Sequence, residues 1–502
     1  MFRKICICPV IILTLLLPIQ GWVLSSEITP GISSVKEDTS TYYLSLDETT
    51  RLAIQNNFAI QLAQYDARIA KAKLGESQSI YDTLLNADVK YRNDQGKQTS
   101  TILGSKIIDN DYNLGVSKKL PSGTTLTTNM TNHRNWSNSS FTTSSPSHDS
   151  TLKLGLKQEL GKNFFGLQDR GDVTITKIDI ENSQYSSLEN IEDDLAQVQK
   201  AYWDIVLHRE KVTIALETQR QAKTLFNLDE DKIKRGLVEA PELIASEANF
   251  QTRLNEVLLA KDELESKVNV LKLLLNIPDN EAAIVPSESF VLSTQDQSVD
   301  QALQLAFTNR YDYKKTLNDI ESKKIKLTMK KTSLWPEINL EASLARNGLG
   351  DHFPSAVTNI TVEDNPDFFT GLTVKIPWEN RKAESQLKAA QLEKAKALLN
   401  LKWLERKITI GIVDKVRRCQ VLKELALNSQ NIAGLQTWKL EEEQKRLATG
   451  RSNTDTVIRY QEDLLKAKWK AAEAMFEYQS ALIDLRKQEG TLLNEYWGEE
   501  RL

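Results

Sequence analysis

The residue types that most often bind metals or transfer protons are scarce in this chain, and their spacing supports neither role. The four histidines are His133, His148, His208 and His352, and none has a cysteine or a second histidine at metal-ligand spacing. The sequence contains no phosphate-binding glycine loop, nucleophile elbow or Cys/His pair. It therefore predicts no catalytic residue, no metal site and no cofactor, and we expect that the protein is not an enzyme.

Acidic runs and cysteines add no further chemistry. The acidic runs 192–194 and 441–443 are typical of solvated helix faces. Two of the three cysteines lie at positions 6 and 8, which leaves Cys419 alone in the rest of the chain, and an intramolecular disulfide is not expected there. The net charge of −4 provides no basic excess to displace counterions from phosphates, so no nucleic-acid partner is predicted.

The N-terminus has the pattern of an export signal. Arg3 and Lys4 precede an apolar run over 5–17, which is shorter than the roughly 20 apolar residues of a membrane-spanning helix. Residues 1–25 are therefore predicted to be a cleaved secretory signal peptide, with an uncleaved anchor as the alternative.

An internal duplication organises the remaining chain. The segments LDETTRLAIQNN and VDQALQLAFTNR, starting at positions 46 and 299, match without gaps over an extended stretch, which predicts two copies of one large unit. Each copy has one amphipathic helix (47–80 and 300–333), a region of strands and a pair of long helices. The predicted first structural repeat is 44–280 (strands 84–161, helical hairpin 183–276), and the second is 297–492 (strands 336–377, helical hairpin 380–492).

The strand regions alternate between apolar and polar residues. Leu114 and Val116, Leu152 to Leu156, and Leu372 to Ile376 follow a period of two, which is typical of half-buried strands. A transmembrane barrel has this pattern in segments of about ten residues, whereas each segment alone fits the edge of an ordinary soluble sheet. The stretch LPSG at 120–123 predicts a tight hairpin, so we expect four to six strands per chain. The tracts 93–110, 131–150 and 345–368 are interpreted as long exposed loops.

The helical regions follow a different period. From Ala383 to Ile408 the apolar residues repeat every 3.5 positions, which is typical of a coiled-coil seam; they are Ala383, Leu387, Ala390, Ala397, Leu401, Leu404 and Ile408. A helix over 380–448 would be about 100 Å long at 1.5 Å per residue. Such a helix must run beside others in a bundle, a fibre or a tube.

One glycine interrupts each pair of long helices. Gly236 and Gly450 follow the last turn of a helix, where a left-handed residue commonly ends it. Pro241 suits the first turn of the next helix, and Thr454 or Asp455 is expected to cap the corresponding helix of the second copy. The sequence predicts two matching helix-turn-helix tips, for which chain reversal alone is a sufficient explanation.

The order of these elements resembles the outer membrane efflux protein family, also called the TolC family. The motifs that carry the resemblance are the two first-helix segments above, LWPEINLEASL at 334–344, GLTVKIPWENRKAESQLKAA at 371–390, QELGKNFFGLQDRGD at 158–172 and the two glycine breaks. The resemblance covers about 44–490. It implies a mostly α-helical fold with a β membrane part: duplicated helical hairpins form a trimeric α-barrel, capped by a transmembrane β-barrel that three chains share.

The resemblance also implies a function, partners and a location. Proteins of this family are passive exit ducts of tripartite efflux or type I secretion systems, in the outer membrane of Gram-negative bacteria with a periplasmic extension. A homotrimer is expected to work with a periplasmic adaptor and an inner-membrane pump, and to conduct small molecules or exported polypeptides. The alternative is an exported soluble coiled-coil scaffold or a periplasmic adaptor.

The resemblance assigns the helical tips to docking and gating. It implies that the adaptor docks at Gly236, Leu237, Val238, Gly450 and Arg451.

In the best-known member of the family, acidic residues lie six and nine positions after the second glycine. Thr456 and Arg459 occupy those positions here, whereas Glu242 lies six positions after the first glycine and Asp455 is one residue from the expected acid. We therefore expect that Arg459, paired with Glu242 or Asp455, closes the periplasmic mouth.

Overall fold

The computed structural model describes residues 42–97, 102, 104–142, 144–236, 239–277, 284–292, 298–494 and 496. The predicted signal peptide lies outside these residues. The described part consists of one large antiparallel sheet, a small parallel strand pair and a set of long helices.

The first half of the chain begins with a short strand and two helices. In chain order its elements are β1 (Tyr42–Leu44), α1 (Leu46–Asn56), α2 (Phe58–Gln78), β2 (Thr83–Asp94), β3 (Ile107–Lys119), β4 (Thr124–Ser137), β5 (Ser147–Glu159), α3 (Leu167–Lys234) and α4 (Ala240–Leu275). Short 3₁₀ turns precede β2 and α3.

The second half repeats this order with fewer strands. Its elements are β6 (Ile284–Pro286), α5 (Val299–Asn309), α6 (Tyr311–Thr332), β7 (Glu337–Gly350), α7 (Phe353–Val362), β8 (Pro366–Lys375), α8 (Arg381–Ala448) and α9 (Thr454–Glu489). The long helices have equal lengths in the two halves: α3 and α8 have 68 residues each, and α4 and α9 have 36 each.

The prediction of a single amphipathic helix at the start of each copy is wrong, because two consecutive helices are present there in both halves. Each predicted helix is broken into two helices by one residue with a non-helical ψ of 127°, which is Asn57 in the first half and Arg310 in the second. The Asn57 side chain accepts hydrogen bonds from the N–H groups of Ala59 and Ile60, and its amide donates to the Leu274 carbonyl at 2.8 Å. The break therefore caps α2 and fastens it to α4.

Six strands form one antiparallel sheet in the order β2-β3-β4-β5-β7-β8. The hairpin predicted at LPSG is confirmed: the Gly123 N–H donates to the Leu120 carbonyl at 2.9 Å, between β3 and β4. The three predicted loop tracts are wrong to different extents. Strands occupy only the ends of 93–110, they occupy both ends of 131–150, and strands together with α7 fill most of 345–368. Polar cross-strand pairs, such as Asn135 with Asp109 at 2.6 Å, let these polar sequences pair as strands.

The helices pack through the predicted seam of α8. Its seven positions are all buried or half-buried, and the seam continues through Ile412, Val416 and Leu422. From Leu404 to Leu422 the seam residues form one buried cluster with Tyr478, Ala481 and Leu485 of α9 and with Ala302 and Ala306 of α5. Alanine on the facing helices allows the long helices to run close together, which keeps them side by side along their length.

Candidate functional site: the sheet and the helical tips

One face of the sheet is apolar and exposed. Direct cross-strand neighbours form a row across all six strands: Leu85, Val116, Thr128, Leu154, Leu344 and Phe368. Leu85 and Phe368, at the two ends of the row, are 69% and 71% exposed. A soluble protein rarely exposes an apolar surface that continues across six strands. Such a surface indicates a contact with a membrane or with another protein.

The opposite face of the sheet is polar and charged. Its side chains are bonded across the strands: Asn113 donates to Asp88 at 3.2 Å, and His133 lies 2.6 Å from Asp111. Lys157 lies 3.6 Å from Glu341 on the same face. The sheet therefore separates an apolar surface from a hydrated one, as the alternation in the sequence predicts.

Both edges of the sheet end in unpaired strands within the described chain. β2 pairs only with β3, and β8 pairs only with β7. Eleven residues of β2 in a row are exposed, and so are nine of the ten residues of β8. These two edges present backbone donors and acceptors that can pair with another strand.

Apolar stripes are also exposed on the helices. On α2 the residues Phe58, Leu62, Tyr65 and Ile69 follow steps of four, three and four, and each is more than half exposed. A second stripe on α8 includes Leu392, Leu399, Trp403 and Ile410, at steps of seven, four and seven. Both stripes have the 3.5-residue spacing of helix-to-helix contacts, although no other described part of the chain covers them.

The two glycine breaks are helical tips with left-handed glycines, as predicted. Gly236 has φ +70° and Gly450 has φ +71°. At the second tip the N–H of Gly450 donates to the Leu447 carbonyl and that of Arg451 to the Arg446 carbonyl, which is a Schellman motif.

The capping residue of α9 differs from the prediction. The side chain of Asn453 accepts from the Thr456 N–H at 2.9 Å, so Asn453, rather than Thr454 or Asp455, caps the helix. Pro241 lies in the first turn of α4, as predicted.

Three of the four predicted gate residues, Glu242, Asp455 and Thr456, lie in the first turn of the helix after a tip, and Arg459 lies in the second turn of α9. Glu242 is in the first turn of α4, and Asp455 in that of α9. Arg459 is exposed, with its guanidinium 5.8 Å from the centre of the Tyr460 ring. Among the ion pairs of the described residues, none joins Arg459 to Glu242 or to Asp455 within one chain, so that pairing stays a prediction for contacts between chains.

Three of the five predicted docking residues lie in the described part of the chain. Gly236, Gly450 and Arg451 are exposed at the ends of the two tips, and no atom outside the local turn lies within 4 Å of a Cβ built on either glycine. Leu237 and Val238 lie outside the described residues.

The two tips contact each other through side chains that no sequence pattern pairs. The Thr454 hydroxyl donates to Asp229 Oδ2 at 3.1 Å, and the Asp229 carboxylate is fully buried in α3. The Asn249 amide in α4 donates to Gln461 Oε1 in α9 at 2.9 Å. These bonds join the first helical hairpin to the second, and no local pattern signals pairs more than 200 residues apart.

The interpretation of the acidic runs as solvated faces is wrong at two positions. Glu192 is only 5% exposed, and burial raises the pKa of its carboxyl to about 7, although the Leu492 N–H donates to it at 3.1 Å. Glu443 is also buried and accepts from the Ser452 hydroxyl at 2.6 Å, which ties the tip turn to α8.

A carboxylate also joins three long helices. Asp484 of α9 binds Lys200 of α3 at 2.5 Å and Lys415 of α8 at 2.9 Å. Burial disfavours the charged form of Asp484, but the hydrogen bonds from the two lysines outweigh this effect and lower its pKa. Nowhere in the described chain do three His, Cys, Asp or Glu side chains come together as a possible metal site.

No helix among the described residues combines the length and apolar character needed to cross a membrane.

The architecture described above has close counterparts among solved structures. No protein-family model matches the chain, and no curated protein sequence does. The Campylobacter jejuni CmeC outer membrane channel matches 91% of this chain and 90% of its own at 15% identity and a TM-score of 0.64. The open state of the Neisseria gonorrhoeae MtrE outer membrane channel matches 92% and 94% at 15% identity and a TM-score of 0.65.

A third solved structure has the same fold. The outer membrane protein VceC from Vibrio cholerae matches 89% of this chain and 96% of its own at 14% identity and a TM-score of 0.65. The chain therefore has the fold of these outer membrane proteins along nearly its whole described length. The resemblance drawn from the sequence is confirmed at the level of the fold.

Proposed function

We propose that three copies of this chain form an outer-membrane exit duct of a tripartite efflux or type I secretion system, which conducts small molecules or exported polypeptides passively. The observation that carries this proposal is the six-stranded sheet with one apolar face, one charged face and two unpaired edges. The fold shared with outer membrane channels supports it.

The sheet fits a barrel shared between chains. In lipid every backbone polar group needs an internal partner, so the free edges of β2 and β8 must be paired. Pairing β8 of one copy with β2 of the next removes every edge and gives three times six strands. A barrel of about 16–18 strands encloses an aqueous channel. The charged face would line this water, and the row from Leu85 to Phe368 would contact lipid.

The helices fit a tube that continues from the barrel. α3 and α8 have 68 residues, so each spans about 100 Å at 1.5 Å per residue. The exposed stripes on α2 and α8 have the spacing of helix seams, and a neighbouring copy would bury them. A ring with threefold symmetry closes without free ends, which matches the closure that the sheet requires.

The tips at the far end of this tube are proposed as its periplasmic mouth. There Glu242, Asp455, Thr456 and Arg459 would form the gate. A periplasmic adaptor connected to an inner-membrane pump would dock at Gly236, Leu237, Val238, Gly450 and Arg451. The pump supplies the energy, and this chain supplies the path without catalysis.

The barrel is testable by cysteine cross-linking between copies. In a Cys419→Ser background, Phe368→Cys in β8 is combined in turn with cysteines at positions 85, 87, 89 and 91 of β2. Disulfides need Cα atoms about 4.4–6.8 Å apart, so adjacent edges should give a covalent trimer at one or two of these positions. The control combines Phe368→Cys with Leu114→Cys in β3, which is paired on both sides. Absence of the trimer at every β2 position would contradict the shared barrel.

The alternative, a soluble scaffold or adaptor, makes an opposite prediction. A scaffold would leave the apolar row of the sheet in water, which favours aggregation. Washing membranes with high salt should release a scaffold, whereas an integral barrel should require detergent. Release by salt alone would favour the scaffold.

A further inference from the structure

The short helix α7, which connects β7 to β8, has an unusual composition. Its ten residues, Phe353–Val362, include no ionisable side chain. Charged residues return directly beyond its end at Glu363 and Asp364. Asp364 is paired with Arg346 of β7 at 3.1 Å. Arg346 is the direct neighbour of Leu152, so this exposed ion pair borders the uncharged helix.

α7 lies against the apolar face of the sheet, not the charged one. A Cβ built on Gly348 would lie 2.2 Å from the Ala356 carbonyl oxygen, and one built on Gly350 would lie 2.7 Å from the Ala356 nitrogen. Because side chains alternate along β7, these two positions share a face with Leu344. Glycine at both positions lets the helix backbone rest directly on the strand.

α7 covers the sheet at the row that contains Gly348 and Ser150. Ser150 is the direct neighbour of Gly348 and Asn132 that of Ser150, and both are almost fully buried. Asn132 donates to the Ser150 hydroxyl at 2.6 Å, so this polar pair is satisfied beneath the helix. On β5, Ser150 precedes Leu152, Leu154 and Leu156, which lie on the same face. α7 therefore lies one row beyond the last leucine, at the end of the apolar surface farthest from the long helices.

The side of α7 that faces away from the sheet is apolar or uncharged. Ala356 and Ile360 are buried, whereas Phe353 is 47% and Val362 is 73% exposed. Pro354 and Thr358 are also exposed. Because taking a charge out of water is costly, a helix whose outward side carries only apolar and uncharged polar residues can lie at the boundary between headgroups and acyl chains.

We propose that α7 is an interfacial helix that rests on the outer leaflet of the membrane, with Phe353, Thr358 and Val362 in contact with lipid. This inference rests on the proposed function, because the sheet must span a bilayer for its apolar face to meet lipid. Two features favour lipid as the occupant: α7 lies next to the leucines of β5 on the same face, and its ten residues carry no charge. The helix anchors the rim of the sheet at a fixed depth.

Site-directed spin labelling tests the proposal on the full-length protein. In the Cys419→Ser background, single cysteines at Thr358 and Val362 are labelled after reconstitution into vesicles of phosphatidylethanolamine and phosphatidylglycerol. Accessibility to oxygen, which concentrates in lipid, is compared with accessibility to a water-soluble nickel complex. Labels at Leu154, on the apolar face, and at Asp231, exposed on α3 near the tip, are the references for lipid and for water.

The two reference labels distinguish an α7 that contacts lipid from an α7 that is exposed to water. Oxygen-to-nickel ratios at Thr358 and Val362 that are closer to Leu154 than to Asp231 support the interfacial helix. Ratios like that of Asp231, or shielding from both reagents, overturn it while Leu154 still reports lipid. A Leu154 label that is accessible to nickel would instead contradict the proposed membrane barrel. Two independent label positions keep the result interpretable if one variant fails to fold.

Discussion

The hydroxyl of Thr454, at the start of α9, donates a hydrogen bond to Oδ2 of Asp229 of α3, at an Oγ1–Oδ2 distance of 3.1 Å. Asp229 is fully buried. The two residues lie 225 positions apart and belong to different halves of the duplicated chain. Lys232 is the nearest cation, with Nζ 3.9 Å from the other carboxylate oxygen. The bond therefore links the first helical tip to the second through a buried carboxylate.

We expect Thr454→Val to loosen this link, because valine keeps the shape of threonine but leaves the Asp229 carboxylate without its hydroxyl partner. Loss of a hydrogen bond to a buried polar group costs about 1–3 kcal/mol. Hydrogen exchange at the first turn of α9 should accelerate, and the free energy of unfolding should fall. The control is Thr224→Val, because Thr224 is exposed and donates only to a carbonyl of its own helix. Exchange in Thr454→Val as slow as in the control would contradict the link.

We expect Arg459→Ala to raise passive conductance in planar bilayer recordings. Arg459 is exposed near the tip and has no acidic partner within its own described chain, so its charge is available to a neighbouring copy. Removing it should weaken contacts that close the mouth and shift ion selectivity towards cations. Arg406→Ala, at an exposed position of α8 far from the tip, serves as the control. Unchanged conductance and selectivity would contradict a gating role for Arg459.

We expect Leu154→Asp to reduce the stability of the membrane-inserted protein. On the lipid face of a barrel, Arg or Lys costs about 2–4 kcal/mol near the middle of the bilayer, and Asp costs less than this. The matched control is Asn129→Asp, which adds a carboxylate to the charged face of the neighbouring strand. The measurement is the temperature at which trimers dissociate during SDS electrophoresis. Equal losses in both variants would show that the two faces do not meet different surroundings.

We expect Glu192→Gln to stabilise the protein above neutral pH. The folded-state pKa of Glu192 is raised from 4.5 to about 7, because burial disfavours its charged form. A raised pKa contributes stability that is fully present below the unfolded pKa and is lost as pH rises through about 7. Glutamine keeps an oxygen for the Leu492 N–H but carries no charge, so this loss should disappear, a gain of up to about 3 kcal/mol at high pH.

The measurement for Glu192→Gln is denaturant unfolding at a series of pH values from 4 to 9. Glu424→Gln, at an exposed position of α8, is the control and should follow the pH profile of the unmodified chain. A profile for Glu192→Gln parallel to that of the unmodified chain would mean that the Glu192 carboxyl is not the group that titrates.

Local patterns predicted the parts of the fold that depend on near neighbours. The alternation in β3, β5 and β8 and the seam of α8 are present as expected, because periods of two and 3.5 follow from backbone geometry within one element. Gly236 and Gly450 marked the helical tips for the same reason, since a left-handed residue is a local requirement. The boundaries of the two predicted structural repeats stay a prediction.

The errors fall where a distant contact overrides a local preference. The first helix of each copy is broken at Asn57 and Arg310, since each of these residues bonds the end of a distant helix: Asn57 donates to Leu274 and Arg310 to Gln488. The tract 131–150 looked like a loop because its side chains are polar. Its two ends pair as strands, where Asn132 and Asn135 have hydrogen-bond partners on β5 and β3.

The sequence by itself determined which face of each strand and helix is apolar, since that depends only on the order of residues along an element. Only the tertiary structure decided how these faces are used. It brought Asp229 to Thr454, laid α7 across Gly348 and left β2 and β8 without partners at the two edges of the sheet. These relationships join residues far apart in the chain, and their energies come from burial and pairing that no local window of sequence contains.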